Sequence, residues 1–317
     1  MASQCAFQFG IEIELLIGSR SKNHKSWMSL AAEVSTKLAK AGIPNHVNES
    51  NDKSLENYQE WSIVQEVTVP TQAGKNLWGL ELVSPILATD TAWVTHLSVV
   101  FKTLKSSFTL SASANTSTHI HLSTSPTLSA TQLSAIAKSI LYFEPALDAL
   151  LPASRASSYW CQSNRANPVL KSLSMAQCFE YLDYCSDPID VVRTMCLYPA
   201  SSAYGRANGY TEDFIHGVYK WDFSNLAYEG STGTLEFRQC PGSRSADEVR
   251  TWVELAVAFA AGAIDGAEMI DPNGTVVMED LWWIVSGGCQ SSGIGERRGI
   301  EALFAGRGGS GKKGARK

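Results

Sequence analysis

Gly233-Thr234-Leu235-Glu236-Phe237-Arg238-Gln239 alternates: Leu235 and Phe237 on one side, Thr234, Glu236 and Arg238 on the other. A period of two is that of a β-strand with an apolar and a polar face, and it sets a carboxylate and a guanidinium about 7 Å apart on one side. Such a pair suits a place where a metal ion and a phosphate lie together. The glutamate takes the cation and the arginine takes the phosphoryl oxygens. Taken alone, it is equally a surface ion pair. Its meaning depends on other strands of the same kind.

The first of these is Phe9-Gly-Ile11-Glu12-Ile13-Glu14-Leu15-Leu16. Ile11, Ile13 and Leu15 form one face, and Glu12 and Glu14 the other. The apolar flanks mark a central strand, where two inward carboxylates repel each other unless a cation sits with them. Ser117-Thr-His119-Ile-His121-Leu-Ser123 puts two imidazoles on one face. They can sit beside a divalent ion or a phosphate, or be partly buried histidines bonded to neighbours. Trp61–Pro70 and Gly79–Pro85 each read as an apolar strand with one carboxylate, Glu66 beside Val64 and Thr68, and Glu81 beside Gly79 and Val83. A buried lone carboxylate is costly unless it is paired or binds a metal. Either strand by itself is also read as an edge strand with one outward acid.

In order, FGIEIELL, QEVTV, GLELVSPIL, STHIHLS and TGTLEFRQCPGS resemble the fungal amidoligase family of the carboxylate–amine ligase superfamily. Glutamine synthetase and γ-glutamylcysteine ligase are that superfamily's well-known members. The resemblance covers about residues 7 to 265. It implies an α+β fold with a curved antiparallel sheet forming a funnel-like site for ATP and magnesium (or manganese). It also implies a reaction in which a carboxylate is phosphorylated and an amine then displaces the phosphate. By this pattern Glu14, Glu66 and Glu81 would surround one ion, and Glu12, His119 and Glu236 another. His121 would lie near the ATP phosphates, and Arg238 would stabilise the transferring phosphoryl group. Arg238, His121 and Glu66 are thus the residues expected to act in catalysis. Many relatives carry Asp followed by Ser where this chain has Glu66 and Thr68. Arg155 and Tyr159 match an Arg-x-x-x-Tyr stretch, and Asn225 matches an Asn-Leu pair. All three are expected to touch substrate, with a structural turn or ordinary surface pairing as the other reading.

The chemistry agrees with such a site. Phosphoryl transfer needs bound cations and fixed positive charge where negative charge develops, with little covalent help from protein. Oxygen-rich donor sets suit magnesium or manganese better than zinc. The seven cysteines, at 5, 161, 178, 185, 196, 240 and 289, include no CxxC, which argues against a zinc or iron–sulfur centre and fits reduced thiols in the cytoplasm. Of the 317 residues, 44% are hydrophobic and 18% charged, as in an ordinary globular enzyme. No apolar run has membrane-spanning length and no signal peptide is evident, so no membrane association is expected.

A single catalytic domain over 1–304 and a disordered basic tail over 305–317 are expected. The tail carries Arg307, Lys312, Lys313, Arg316 and Lys317 and no acid, so the body is more acidic than the net charge of −5 suggests. An acidic body argues against nucleic acid as partner. Helices are expected over Trp27–Ala41, Ser129–Leu151 (kinked or interrupted at Pro145), 174–185, 188–197 and from a capping box at Ser245 to about Ile264. Strands in runs with helices inserted indicate α+β. The polar segments 45–60 and 198–213 read as lids or as plain surface loops. The expected partners are a small carboxylic acid and an amine, amino acids or a peptide among them. Two other readings are a nucleotide-binding pseudoenzyme and a metal-dependent hydrolase or phosphotransferase on the same carboxylates.

Overall fold

The 14-residue strand β1, Ala6–Ser19, carries the FGIEIELL alternation into three dimensions. Ile11, Ile13 and Leu15 are at most 3% exposed, while Glu12 and Glu14 project from the opposite face. A computed structural model describes residues 6–89, 91–227, 232–294 and 297–306. The basic tail expected at 305–317 lies almost wholly outside the described residues. Helices and a largely antiparallel sheet make the fold α+β. The chain divides into two compact units, one of Gln8–His121 with Cys240–Val253, the other built on Leu122–Gln239 and on residues from Glu254 onward.

In the first unit the strands after β1 are β2 (Asn45–Val47), β3 (Trp61–Gln65), β4 (Trp78–Val83), β5 (Leu87–Ala88), β6 (Phe108–Ser111) and the start of β7 (Ser117–Ser125). Their order is β7-β1-β4-β3-β2, with β5 and β6 also pairing β1. β1 pairs antiparallel with β4, β5 and β6, and β3 with β4, while β2 and β3 run parallel. The register sets Glu14 directly opposite Glu81, so the two carboxylates share a face. Helix α1, Trp27–Lys40, packs on β2, β3 and β4 through its buried Leu30, Ala31, Val34 and Leu38, and α2, Trp93–Ser107, packs on β6 and α1. Helix α1 begins at the Ser26 cap, whose hydroxyl accepts the Ser29 N–H. It gives way to Gly42 at φ +80°, a left-handed conformation that suits glycine.

The second unit contains α3 (Ala130–Leu150), α4 (Ala153–Ala156), α5 (Met175–Asp183), α6 (Pro188–Cys196), β8 (Leu197–Tyr198), α7 (Ala203–Ala207), β9 (Phe214–Ile215), β10 (Trp221–Asp222) and most of β11 (Leu235–Pro241). Helix α8 (Ala246–Gly266) ends in it, and α9 (Met278–Ser291) and α10 (Arg298–Ala305) follow. Pro145 does not interrupt α3, which runs on to Leu150. Its buried side packs on α5, α6 and α9. Strand β10 pairs antiparallel with β11, Trp221 opposite Phe237 and Asp222 opposite Glu236. The Trp221 and Phe237 rings stack at 4.5 Å.

A buried cation braces this pair. Lys220 has a side chain only 2% exposed, and its Nζ reaches Glu144 Oε1 at 3.0 Å and both Asp148 oxygens at 2.7 and 2.8 Å. Gln239 Nε2 donates to the same Asp148, and Ser163 Oγ donates to Glu144 Oε2 at 2.9 Å. A paired buried ion contributes little net stability, but removing one partner leaves the other stranded in low dielectric. Lys220→Met is therefore expected to cost about 3–5 kcal/mol, read as a lowered urea midpoint. A loss below about 1 kcal/mol would show that Glu144 and Asp148 are well solvated without it.

Candidate metal and phosphoryl-transfer site

The polar face of the first unit's sheet gathers acids and imidazoles. From β1, Glu12 and Glu14 meet His119 and His121 of β7. His119 Nδ1 lies 3.0 Å from Glu12 Oε2, His119 Nε2 3.6 Å from Glu14 Oε1, and His121 Nε2 3.3 Å from Glu12 Oε1. The Ser117 amide donates to Glu14 Oε2 at 2.7 Å, and the Ser117 hydroxyl lies 2.8 Å from His119 Nε2. Glu14, Glu81 and His119 each offer a ligand atom within 4.8 Å of the others. Two carboxylates and one imidazole at that spacing suit a hard divalent cation, with room for further oxygen ligands.

Electrostatics separate the acids. Burial tends to raise the Glu12 carboxyl, but the charges and hydrogen bonds of His121 and His119 outweigh it and hold Glu12 well below the ordinary range. Glu81 is pushed well above that range by burial first and then by Glu12, Glu14 and Glu66, with Lys53 pulling weakly the other way. Burial first, and then Glu12, Glu81 and Asp52, raise the Tyr58 phenol, against Lys53. A buried acid driven up by its own neighbours is a group that a cation would relieve.

Glu66 stands differently from its expected place. Strand β3 ends at Gln65, so Glu66 is not on a strand face with Val64 and Thr68 but opens a turn. Its Oε1 accepts the Thr68 amide at 2.6 Å and the Thr68 hydroxyl. The turn folds back over β4 at Gly79, where a Cβ would meet the Glu66 carbonyl at 2.4 Å and the Val69 carbonyl at 2.7 Å. Glu66 is still near enough to raise Glu81, but His119 takes its place beside Glu14 and Glu81. Lys53 and Tyr58 went unnoticed in the sequence. A lone lysine and a tyrosine in a polar loop carry no periodic signal.

The second unit holds Glu236 and Arg238 on one face of β11, paired through Nη1–Oε1 at 2.6 Å. Arg238 Nε also donates to the Trp160 carbonyl at 3.3 Å. Asp222, opposite Glu236, is raised by burial first and by Glu236, against Arg238. Arg155 is buried and donates to the Gln239 carbonyl at 3.3 Å and the Arg238 carbonyl at 2.7 Å. These bonds brace β11 with the guanidinium that was expected to grip substrate. Tyr159 is exposed, its ring edge-on to Trp160 at 5.0 Å. Asn225 sits half-buried in a short turn, Ser224–Leu226, just after β10.

A family model described as "Putative amidoligase enzyme" matches residues 6–260, and the chain belongs to that family. No curated protein matches the sequence. Among solved structures, the chain is similar to a bifunctional glutathione synthetase from Pasteurella multocida, at 12% identity and a TM-score of 0.44, over 95% of this chain and 46% of that one. The chain thus spans less than half the length of that enzyme. Among the described residues, no helix is long and apolar enough to cross a membrane.

The crowding of Glu81 has a measurable consequence. Glu81 holds its proton more tightly folded than unfolded, so without metal its effect on stability worsens as pH rises above the ordinary glutamate value of about 4.3. Glu12 has the opposite sign: its stabilisation is present above the unfolded value and is lost as pH falls through its depressed folded value. Glu81→Gln is expected to remove the first slope. In excess chelator it should be more stable than wild type at neutral pH, and this advantage should vanish toward pH ~4. Urea midpoints across that range test it, and parallel curves for the two proteins would refute the assignment.

Proposed function

We propose that this amidoligase joins a carboxylate to an amine at the expense of ATP, with magnesium or manganese bound at the carboxylate cluster. The observation that carries the reading is the meeting of Glu14, Glu81 and His119 within 4.8 Å, beside Glu12. Glu14, Glu81 and His119 hold one cation, with Glu66 at its edge, and Glu12 serves a second. Glu236 keeps the metal role that the resemblance gives it, and His121 its place near the ATP phosphates. When bound, such cations would offset the negative charge of the ATP phosphates.

In the first step a carboxylate oxygen attacks the γ-phosphorus of ATP, the bond to ADP breaks, and an acyl phosphate forms. Arg238 offers a flat, permanently charged fork to the equatorial oxygens as that bond loosens. In the second step the amine nitrogen attacks the acyl carbon, and phosphate leaves with the bonding pair. Arg155 holds the backbone on which Arg238 is mounted rather than touching substrate. Tyr159 and Asn225 stay as candidate substrate contacts.

Two measurements test this reading. ATP binding followed by calorimetry is expected to require magnesium or manganese, and equal affinity in excess chelator would end the metal assignment. Arg238→Lys is expected to bind ATP normally and lose on the order of 10²–10³ in turnover. If Arg238 serves only to hold Glu236, the lysine variant will keep near-wild-type turnover. ADP release that needs both an acid and an amine separates a ligase from a hydrolase and from a silent binder.

A further inference from the structure

The second unit carries a cluster of rings of which the reading above uses Tyr159 alone. Tyr159, Trp160, Tyr204 and Tyr210 are each 39–48% exposed. They belong to one continuous set. Tyr159 meets Trp160 edge-on at 5.0 Å, and Gln162 Nε2 donates to the Tyr159 carbonyl at 3.1 Å and to the Tyr198 hydroxyl at 3.4 Å. Tyr198 lies edge-on to His216 at 5.1 Å, Tyr204 stacks on His216 at 4.5 Å, and Tyr210 stacks on Phe214 at 3.8 Å. Exposed aromatic area gathered in one place marks recognition more often than chance.

The cluster adjoins Arg238. The Trp160 carbonyl accepts from Arg238 Nε. Gly217, next to His216, packs so close to Asp222 that a Cβ there would fall 2.4 Å from its carboxylate, and Asp222 is the partner of Glu236 across the β10–β11 pair. Nε2 of His216 is buried without a hydrogen-bond partner among the described residues. A buried unsatisfied polar atom calls for a reason. Burial and then the charge of Arg238 lower this imidazole's pKa from its ordinary value, which favours the neutral ring.

We propose that Tyr159, Trp160, Tyr198, Tyr204 and His216 form the seat of the amine substrate, the ring faces receiving its ammonium form and His216 Nε2 removing the proton that blocks attack. This rests on the ligase reading above. The faces of tyrosine and tryptophan rings are electron-rich and favour a cation over an anion. An ammonium has no lone pair, so it must lose a proton before it attacks the acyl carbon. Of its three N–H protons one remains in the amide, one passes to His216 and one leaves with phosphate. Charge and atoms then balance for acyl phosphate plus ammonium going to amide, hydrogen phosphate and a protonated imidazole.

The test compares nucleophiles that differ in their need for a base. At pH 7.5 hydroxylamine is unprotonated and methylamine is protonated. Each proteinogenic amino acid serves in turn as the carboxylate, with full-length wild type and His216→Gln. Substitution is expected to lower the ratio of methylamide to hydroxamate formation on the order of 10²-fold, as for loss of a general base. The hydroxamate rate reports that the variant is folded and still activates the acid. An unchanged ratio would overturn the role of His216. A second arm titrates wild type with benzylammonium and with benzyl alcohol, following the His216 ring signals by NMR. Selective response to the ammonium supports the seat; equal response would make it a plain aromatic pocket and overturn the proposal. If wild type releases no ADP with any acid, the ligase reading fails by itself, and the second arm still decides whether an amine seat exists.

Discussion

Three carboxylates, Glu12, Glu14 and Glu81, are fixed on adjoining strands with no freedom to part. Ile11, Ile13 and Leu15 are buried on the reverse face of β1, and Leu80 and Leu82 on that of β4. A slip of one residue would bury the acids and expose the isoleucines, so burial of the apolar face enforces the crowding of the polar one. The repulsion is relieved in part by His119 and His121 and is left standing at Glu81. Folding energy from one side of the sheet thus holds an arrangement on the other side that the protein would not adopt for stability. Such an arrangement fits the cation site proposed above.

The strands that carry these acids were legible because their period of two is strict and their flanks apolar. The helices were legible for a similar reason, with Ser129 marking a start and Gly42 a stop. Glu66 was misplaced because alternation was carried through Thr68, although the chain leaves the strand at Gln65. The cause lies at Gly79, where the absence of a side chain lets the turn close over the neighbouring strand. Such a long-range fit has no local signature.

Arg155 and Lys220 mark another limit. An arginine in a motif looks like a ligand-binding group, yet Arg155 spends its donors on two backbone carbonyls of β11. Lys220 belongs to no motif, yet it is the buried cation on which Glu144 and Asp148 converge. Their partners lie more than 70 residues away in sequence, and periodicity reports a residue's face, not what that face meets. His216 escaped notice for a different reason: its ring neighbours Tyr198, Tyr204 and Phe214 lie in a nearby stretch without a regular period.

Buried charge is managed in two contrasting ways within this chain. Around Lys220 the cation and both acids are supplied by the protein, so the group is complete and its stability owes nothing to solution conditions such as metal concentration. Around Glu81 the protein supplies the acids and only partial relief. Any divalent cation that binds the folded form and not the unfolded one stabilises it by mass action, about 2.7 kcal/mol when its concentration is a hundred times the dissociation constant. The first arrangement holds β11 and the backbone of Arg238 in place at all times. If a cation binds there as proposed, the second would make the carboxylate face most stable when loaded, so that ligand occupancy and local order rise together. A set of acids selected for stability alone would have been thinned or paired. That register leaves Glu12, Glu14 and Glu81 no escape from one another agrees with the cation site proposed above.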